Sequence, residues 1–297
     1  MSAAAASTAD RTWTILELLK WTKDHFEAKG LETPRLDAEL LLAHALGCDR
    51  LRLYVEFEKP VTAEERARFR TLVRRRAEER VPVAYLTGVR EFWSLALAVT
   101  PDVLIPRPDT ETLIDAVLSR LPGREGPLSV LDLGTGSGAI ALALASELPA
   151  AQLTASDVST AALAVARKNA EALGLEGRVR FLAGDGFAPV AGERFDAIVS
   201  NPPYVAEADA AGLVAELRHE PALALFAPGD GTALLRRIAA EAGAHLRPGG
   251  LLAVELAPAQ AGDVRECLLA AGLGEIAEHR DLAGRVRALS AFRRGGD

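Results

Sequence analysis

Leu131-Asp-Leu-Gly-Thr-Gly-Ser-Gly138 places three glycines at alternate positions directly after a short apolar run. Residues 129–133 predict a buried strand and the alanine- and leucine-rich residues 139–148 predict a helix, so the glycines fill a strand-to-helix turn. Glycine there lets the backbone approach a ligand closely, and the free amides of a helix start favour negative charge. The spacing does not name the ligand, because Gly134, Gly136 and Ala139 also satisfy the dinucleotide pattern G-x-G-x-x-G/A. It implies a nucleotide-type pocket, with Gly134, Thr135, Gly136, Ser137 and Gly138 as its first candidate residues.

Downstream, short apolar runs alternate with helical stretches. Strands are predicted at residues 152–156, 179–183, 195–200 and 251–256, and helices at 159–173, 232–245 and 258–271. Strands apolar along their length, alternating with helices, predict an α/β fold with a mostly parallel, doubly wound sheet. Asp157 closes the second strand about 20 residues past the glycine loop, where a carboxylate can accept both hydroxyls of an adenosine ribose. A cap on the helix that begins near Ser159 is the lesser reading and is compatible with that role. Asp185 and Gly186 follow the third strand, where the acid could reach an adenine amino group or only close an Asp-Gly turn.

After the fourth strand comes Asn201-Pro-Pro-Tyr204. In an open α/β sheet ligands bind beyond the carboxyl ends of the strands, so this turn faces the crevice of the glycine loop. Pro202 and Pro203 fix φ and remove two backbone donors. Acceptors remain at the Asn201 side chain and the Pro202 carbonyl, with an aromatic face at Tyr204. This set suits an NH2 group lying flat on the ring with both protons held, its nitrogen aimed at an electrophile next door. A hydride-transfer site has no use for it.

The first 85 or so residues read as helices. Pro34 and Gly47 bracket one, and the capping box Thr62-Ala-Glu-Glu65 opens another that runs to about Arg80. Its Arg66, Arg70, Arg74, Arg75 and Arg76 form a basic face, read as a solvated surface paired with Glu64, Glu65, Glu78 and Glu79 ahead of an acidic partner or RNA. Period-two apolarity between Val89 and Thr100 predicts a hairpin, and the proline-stiff loop 101–108 leads to a helix at 111–120 capped by Asp109 or Thr110. The expected organisation is a helical domain at 1–88, a hairpin and linker loop at 89–108, and an α/β domain at 109–297.

The charge is −7 in all, but residues 1–88 carry 15 Lys and Arg against 14 Asp and Glu, and the remainder 19 against 27. A duplex-DNA enzyme shows a broad basic footprint, and the larger part here has the opposite sign. The longest nearly uncharged apolar run, residues 139–146, is far below the roughly 20 residues of a membrane span, and Met1–Asp10 has no basic start for a secretory signal. Cys48 and Cys267 stand far apart without a CxxC, and five scattered histidines make no ligand set, so neither a disulfide framework nor a metal site is expected. A cytoplasmic location follows.

The glycine loop with Asn201–Tyr204 resembles class I S-adenosylmethionine-dependent methyltransferases acting on planar NH2 groups. More narrowly, the sequence is similar to the HemK family of release factor glutamine methyltransferases through Pro82-Val-Ala-Tyr-Leu-Thr-Gly88, Glu91-Phe-Trp93, Leu104-Ile-Pro-Arg-Pro-Asp-Thr-Glu111, Asp132–Gly138, Asn201–Tyr204 and His219-Glu-Pro221. The resemblance implies a Rossmann-like methyltransferase sheet joined by a β-hairpin to a small all-helical N-terminal domain that helps dock the release factor. It implies S-adenosylmethionine held by Gly134–Gly138, Asp157, Asp185, Gly186 and Asn201, and a glutamine amide held by Asn201, Pro202, Pro203 and Tyr204. Asn201, Pro202 and Tyr204 carry the catalysis; no metal, membrane or direct nucleic acid is required, and a monomer is expected. Two departures stand out: Gly186, followed by Phe187, lies where such proteins often carry an aromatic against the adenine, and Glu255-Leu-Ala-Pro-Ala-Gln260 lacks a glycine two residues after Glu255. The roles of Arg107 and Glu111 stay open. Alternatives are a ribosomal-protein glutamine methyltransferase, an adenine-N6 or guanine-N2 nucleic-acid methyltransferase, a dehydrogenase that would leave the Asn-Pro-Pro-Tyr turn unused, and a non-catalytic nucleotide-binding module.

Overall fold

The computed structural model describes residues 12–295, so the stretch read as lacking a secretory signal lies outside the described residues. The chain divides into two compact units, Met1–Gly88 and Val89–Asp297.

In the first unit β1 (Trp13–Thr14) leads into α1 (Ile15–Ala28), α2 (Pro34–Leu46), α3 (Arg50–Val55), β2 (Pro60–Val61), α4 (Ala63–Ala77) and α5 (Val83–Thr87), with β1 and β2 paired antiparallel. Capping boxes at Thr14–Glu17 and Thr62–Glu65 satisfy the first amides of α1 and α4, and Gly47 closes α2 in the left-handed region at φ 64°. Phe26, Leu41, Leu42 and Leu53 are wholly buried between the helices. On α4 the pairs Arg68–Glu64 and Arg75–Glu79 stay at the surface. Arg76 departs from the expected solvated face: it is buried against Asp37 at 2.7 Å, a pairing between helices that periodicity does not reveal.

The second unit opens with the hairpin β3 (Val89–Phe92) and β4 (Leu95–Ala98), turning through Trp93 and Ser94, both at positive φ. Then follow α6 (Glu111–Arg120), β5 (Ser129–Leu133), α7 (Ala139–Glu147), β6 (Gln152–Asp157), α8 (Thr160–Ala172), β7 (Val179–Ala183), β8 (Phe195–Ser200), β9 (Val205–Ala206), α9 (Ala222–Leu225), β10 (Phe226–Ala227), α10 (Ala233–His245), β11 (Leu246–Glu255), α11 (Ala261–Ala270), β12 (Leu273–Arg280) and β13 (Val286–Arg293). Among the described residues seven strands form one sheet in the order β12-β13-β11-β8-β5-β6-β7, while β9 and β10 pair with each other. All neighbours run parallel except β13, which is antiparallel to both β11 and β12.

That antiparallel end was not expected. β12 is an edge strand carrying Glu275, Glu278, His279 and Arg280, so it lacks the unbroken apolar run by which the central strands are recognised. The helix expected at 258–271 also divides, into a single tight turn at Pro258–Gln260 and α11. In the middle of the sheet, Val130, Leu131 and Leu133 of β5 are buried among strands and covering helices on both faces. From β5 the chain winds outward through β6 and β7, then returns to β8 on the other side. This reversal opens a crevice at the carboxyl ends of β5 and β8, where ligands bind in such sheets.

Candidate active site

A cleft of about 430 Å³ lies at that reversal, lined from β5 by Leu133, Gly134 and Gly136, from β6 by Ser156 and Asp157, from β7 by Asp185 and Gly186, and from β8 by Ser200, Asn201, Pro202 and Pro203. Pro221, Leu223 and Phe226, from the excursion between β8 and α10, supply another wall.

Gly134, Gly136 and Gly138 stand at φ of 73°, 56° and 83°, a region L side chains rarely adopt. A Cβ on Gly138 would also meet Ala166 and Leu142 at 3.2 Å, because α7 and α8 approach closely there. Ahead of the helix start the loop amides are engaged: Gly134 and Thr135 donate to the Ser156 carbonyl at 2.8 and 3.0 Å, and Gly136 donates to Asp157 Oδ2 at 2.9 Å. These three bonds tie the loop to the end of β6. Thr135, Ser137 and Gly138 do not line the cleft. Thr135 gives its hydroxyl to Asp132 Oδ2 at 2.6 Å, and the Ser137 carbonyl accepts from Asn169 at 2.9 Å. Asp132 is wholly buried with Oδ1 unpartnered, and burial raises its carboxyl to about 7 against the pull of Thr135 and the Ala141 amide.

Asp157 joins the support of the helix start read from the sequence to a second task, on the glycine loop, that the sequence did not reveal. Besides receiving Gly136, its Oδ1 accepts from the Ser159 amide at 2.8 Å, so one half-buried carboxylate clasps the loop and steadies the next helix start. The N-cap of α8 is Ser159 itself, whose hydroxyl accepts from Ala162. Each Asp157 oxygen keeps a second lone pair.

Asp185 lines the cleft, but its Oδ2 is taken by Arg237 at 2.7 Å. A Cβ on Gly186 would stand 2.8 Å from the same guanidinium, so the position has no room for a larger residue while Arg237 is in place. Phe187 also lines the cleft; it is 3% exposed and its ring stacks on His245 at 4.6 Å. Arg237 and the exposed Val158 are lining residues that sequence patterns did not flag.

The Asn201–Tyr204 turn is held from behind by side chains. Asn201 Nδ2 donates to the buried Thr110 hydroxyl at 3.2 Å. Thr110 therefore does not cap α6 with its side chain as expected; it serves the turn. The Tyr204 carbonyl accepts from Gln260 at 3.0 Å, and its hydroxyl donates to Glu255 Oε1 at 3.2 Å. Tyr204 is partly buried and packs against the core of this unit, its phenol drawn to a buried acid. Burial pushes the phenol up, and the neighbouring Glu255 charge adds to this. Glu255 is 1% exposed; burial raises its carboxyl to about 7, opposed by the Thr110 and Tyr204 hydroxyls and by Arg287. Ala257, where a glycine was missed, is in ordinary extended conformation at φ −72°, so the position makes no demand for glycine.

Arg107 and Glu111 now have roles. Arg107 pairs at 2.5 Å with buried Glu220, which also accepts the Ile105 amide at 3.1 Å, and Glu111 accepts the Trp93 amide at 3.0 Å in the hairpin turn. Asp109 pairs with Arg287 at 2.7 Å. Among the described residues no group of three His, Cys, Asp or Glu could hold a metal ion, and no helix is long and apolar enough to cross a membrane.

Residues 17–88 match the family model of the PrmC N-terminal domain, and residues 110–231 that of the methyltransferase small domain. In fold the chain is similar to the hMettl16 catalytic domain (TM-score 0.56, 17% identity, 81% of this chain and 86% of that one). It is also similar to a T. thermophilus 16S rRNA N2 G1207 methyltransferase solved with AdoMet and guanosine (TM-score 0.52, 23% identity, 69% and 50%). The likeness to proteins named release factor glutamine methyltransferase is of another order. That of Rhodopirellula baltica is 46% identical over 96% of this chain and 98% of its own length, and that of Moorella thermoacetica 46% identical over 95% and 99%. With that identity running through both units, and with the cleft and its Asn-Pro-Pro-Tyr turn built as described, the chain belongs to the release factor glutamine methyltransferase family.

Proposed function

We propose that this protein transfers the methyl group of S-adenosylmethionine to the side-chain amide nitrogen of a glutamine in a peptide chain release factor, modifying a factor of translation termination in the cytoplasm. The observation that carries the reading is the Asn201-Pro202 turn at the cleft of the glycine loop, in a chain related over nearly its whole length to enzymes named for that reaction. The cleft fits the cofactor. Gly134 and Gly136 leave their Cβ positions open, Asp157 has lone pairs to spare for ribose hydroxyls, and Val158, Ala162 and Ile238 supply apolar surface for a base. When bound, S-adenosylmethionine supplies an electrophilic methyl group.

The chain's own residues have a positioning task. An amide nitrogen is a poor nucleophile, since breaking its conjugation fully costs about 18–20 kcal/mol, judged by the rotation barrier. Two hydrogen bonds of about 1 kcal/mol net each cannot offset that. Asn201 Oδ1 and the Pro202 carbonyl therefore polarise and orient the amide by accepting its two protons, while alignment with the methyl group contributes up to about 7–11 kcal/mol. After transfer the nitrogen is strongly acidic and loses its proton to water or to these acceptors, without a dedicated base. Tyr204 anchors the turn through Glu255, and the N-terminal helices serve in docking the protein substrate.

The test is incubation of a purified release factor with the protein and S-adenosylmethionine, followed by peptide mass spectrometry. One added methyl group on a glutamine, lost when that glutamine is replaced, is expected. Methylation of naked DNA or RNA at comparable rates, with the release factor untouched, would overturn the reading.

A further inference from the structure

We propose that Thr110 and Glu255 are positioning residues that fix which end of the Asn201 amide faces the cleft. The inference rests on the reading of Asn201 as the group that meets the substrate amide. A carboxamide has an acceptor end and a donor end of nearly equal size, and only the acceptor end can receive a proton of the substrate NH2. Something must choose between the two, because a flipped Asn201 would set donor against donor.

Thr110 makes the choice if its own proton is committed elsewhere. A hydroxyl has one proton and two lone pairs, so a hydroxyl that donates to another group can only accept from Asn201. The committed acceptor is Glu255. It is buried at 1% exposure, its Oε1 receives the Tyr204 hydroxyl, and its Oε2 has no partner at ordinary hydrogen-bond geometry. The Thr110 hydroxyl is near enough to draw the Glu255 carboxyl downward, as Tyr204 does. In its ionised form, above about pH 7, Glu255 would leave this buried oxygen without a donor at a high cost, so there it claims the Thr110 proton. Polarity then runs one way: Glu255 accepts from Thr110, Thr110 accepts from Asn201 Nδ2 at 3.2 Å, and Oδ1 is left for the cleft. Charges around the relay balance: Arg287 faces Glu255, Asp109 pairs with Arg287, and Arg107 is taken by Glu220.

Thr110→Val keeps the shape and removes the hydroxyl; Thr110→Ser restores it. In nitrogen-15-labelled protein the Asn201 side-chain NH2 signals, assigned by their loss in Asn201→Asp, should shift in Thr110→Val, exchange with solvent at least about tenfold faster, and return to the native position in Thr110→Ser. In the methylation assay Thr110→Val should lower kcat about ten- to a hundredfold with the KM for S-adenosylmethionine within about twofold, and Thr110→Ser should recover it. Glu255→Gln, which offers a donor where the relay needs an acceptor, should lower kcat in the same way. NH2 signals in Thr110→Val that superimpose on the native ones, or a Thr110→Val enzyme with native kcat, overturn the proposal. Native protein that leaves release-factor glutamine unmodified would instead sink the proposed function, and the NH2 signals would still decide the relay.

Discussion

Replacing Asp157 by Ala separates two tasks that one carboxylate performs. The first is internal: it receives the Gly136 amide at 2.9 Å and the Ser159 amide at 2.8 Å. Bonds to a charged acceptor contribute about 1.5–3 kcal/mol each, and the low end applies to a half-buried group, so stability should fall by about 3 kcal/mol. For a unit of this size that corresponds to a Tm lower by about 6–12 °C. The second task is proposed: ribose hydroxyls bound by the remaining lone pairs would add a further loss of about 1.5–3 kcal/mol in cofactor affinity, or roughly ten- to a hundredfold in Kd. Calorimetric titration with S-adenosylhomocysteine beside thermal unfolding reads the two separately. Asp157→Asn, which keeps one acceptor oxygen for an amide but not the charge, should fall between native protein and Asp157→Ala in both. A lowered Tm with unchanged affinity would refute the ribose assignment and leave Asp157 as a clasp of the glycine loop alone.

Asn201→Ala should leave S-adenosylhomocysteine affinity within a few-fold and lower turnover about a hundredfold, since misplacing the amide by about 1 Å already has that effect; poor cofactor binding with near-normal turnover would reverse the roles. Gly231→Ala adds a Cβ that collides with the Tyr204 carbonyl at φ 82°, so it should push the Asn201–Tyr204 turn and cut kcat at least about tenfold with cofactor affinity retained, as steady-state kinetics would show. Glu255→Gln should change the pH dependence of stability. Because burial raises the Glu255 carboxyl to about 7, its contribution is complete below the usual carboxylate range and is lost as pH rises toward 7, by about 3 kcal/mol. Urea unfolding should therefore show the variant gaining on native protein between about pH 5 and pH 8, and a constant difference between the two would contradict a protonated Glu255 in the fold.

What could be read from the sequence follows from which forces are local. β5, β7 and β8 are found at the residues their apolar runs predict, because strands buried on both faces leave a continuous signature. The glycines of the loop were legible for a similar reason, since positive φ permits little else. β12 was missed because one solvated face and an edge position dilute the pattern. Of the cleft lining, the glycines, Asp157 and Asn201 were found but not Arg237, and the bonds by which Thr110, Glu255 and Gln260 hold the Asn201–Tyr204 turn were not found either. Their roles are set by partners far along the chain, and no short window of sequence contains both members of such a pair. Tyr204 was recognised, but not its partner Glu255, which lies 51 residues away.

The run Leu104–Glu111 carries a consequence for how the cleft forms and fails. Arg107 reaches 113 residues to Glu220, Ile105 reaches 115 to the same carboxylate, Thr110 reaches 91 to Asn201, and Asp109 meets Arg285 across 176. Contacts of such separation incur loop-closure entropy before they return any stability, so the Asn201–Tyr204 turn is assembled late, after the central strands have paired. Once made, the contacts share a single rigid stretch of chain, and loosening one releases the rest. In native-state hydrogen exchange the Ile105 amide and the Asn201 side chain should therefore open in one cooperative event, at a lower free energy than the amides of β5. Mild destabilisation of this enzyme would silence it while its sheet remains folded.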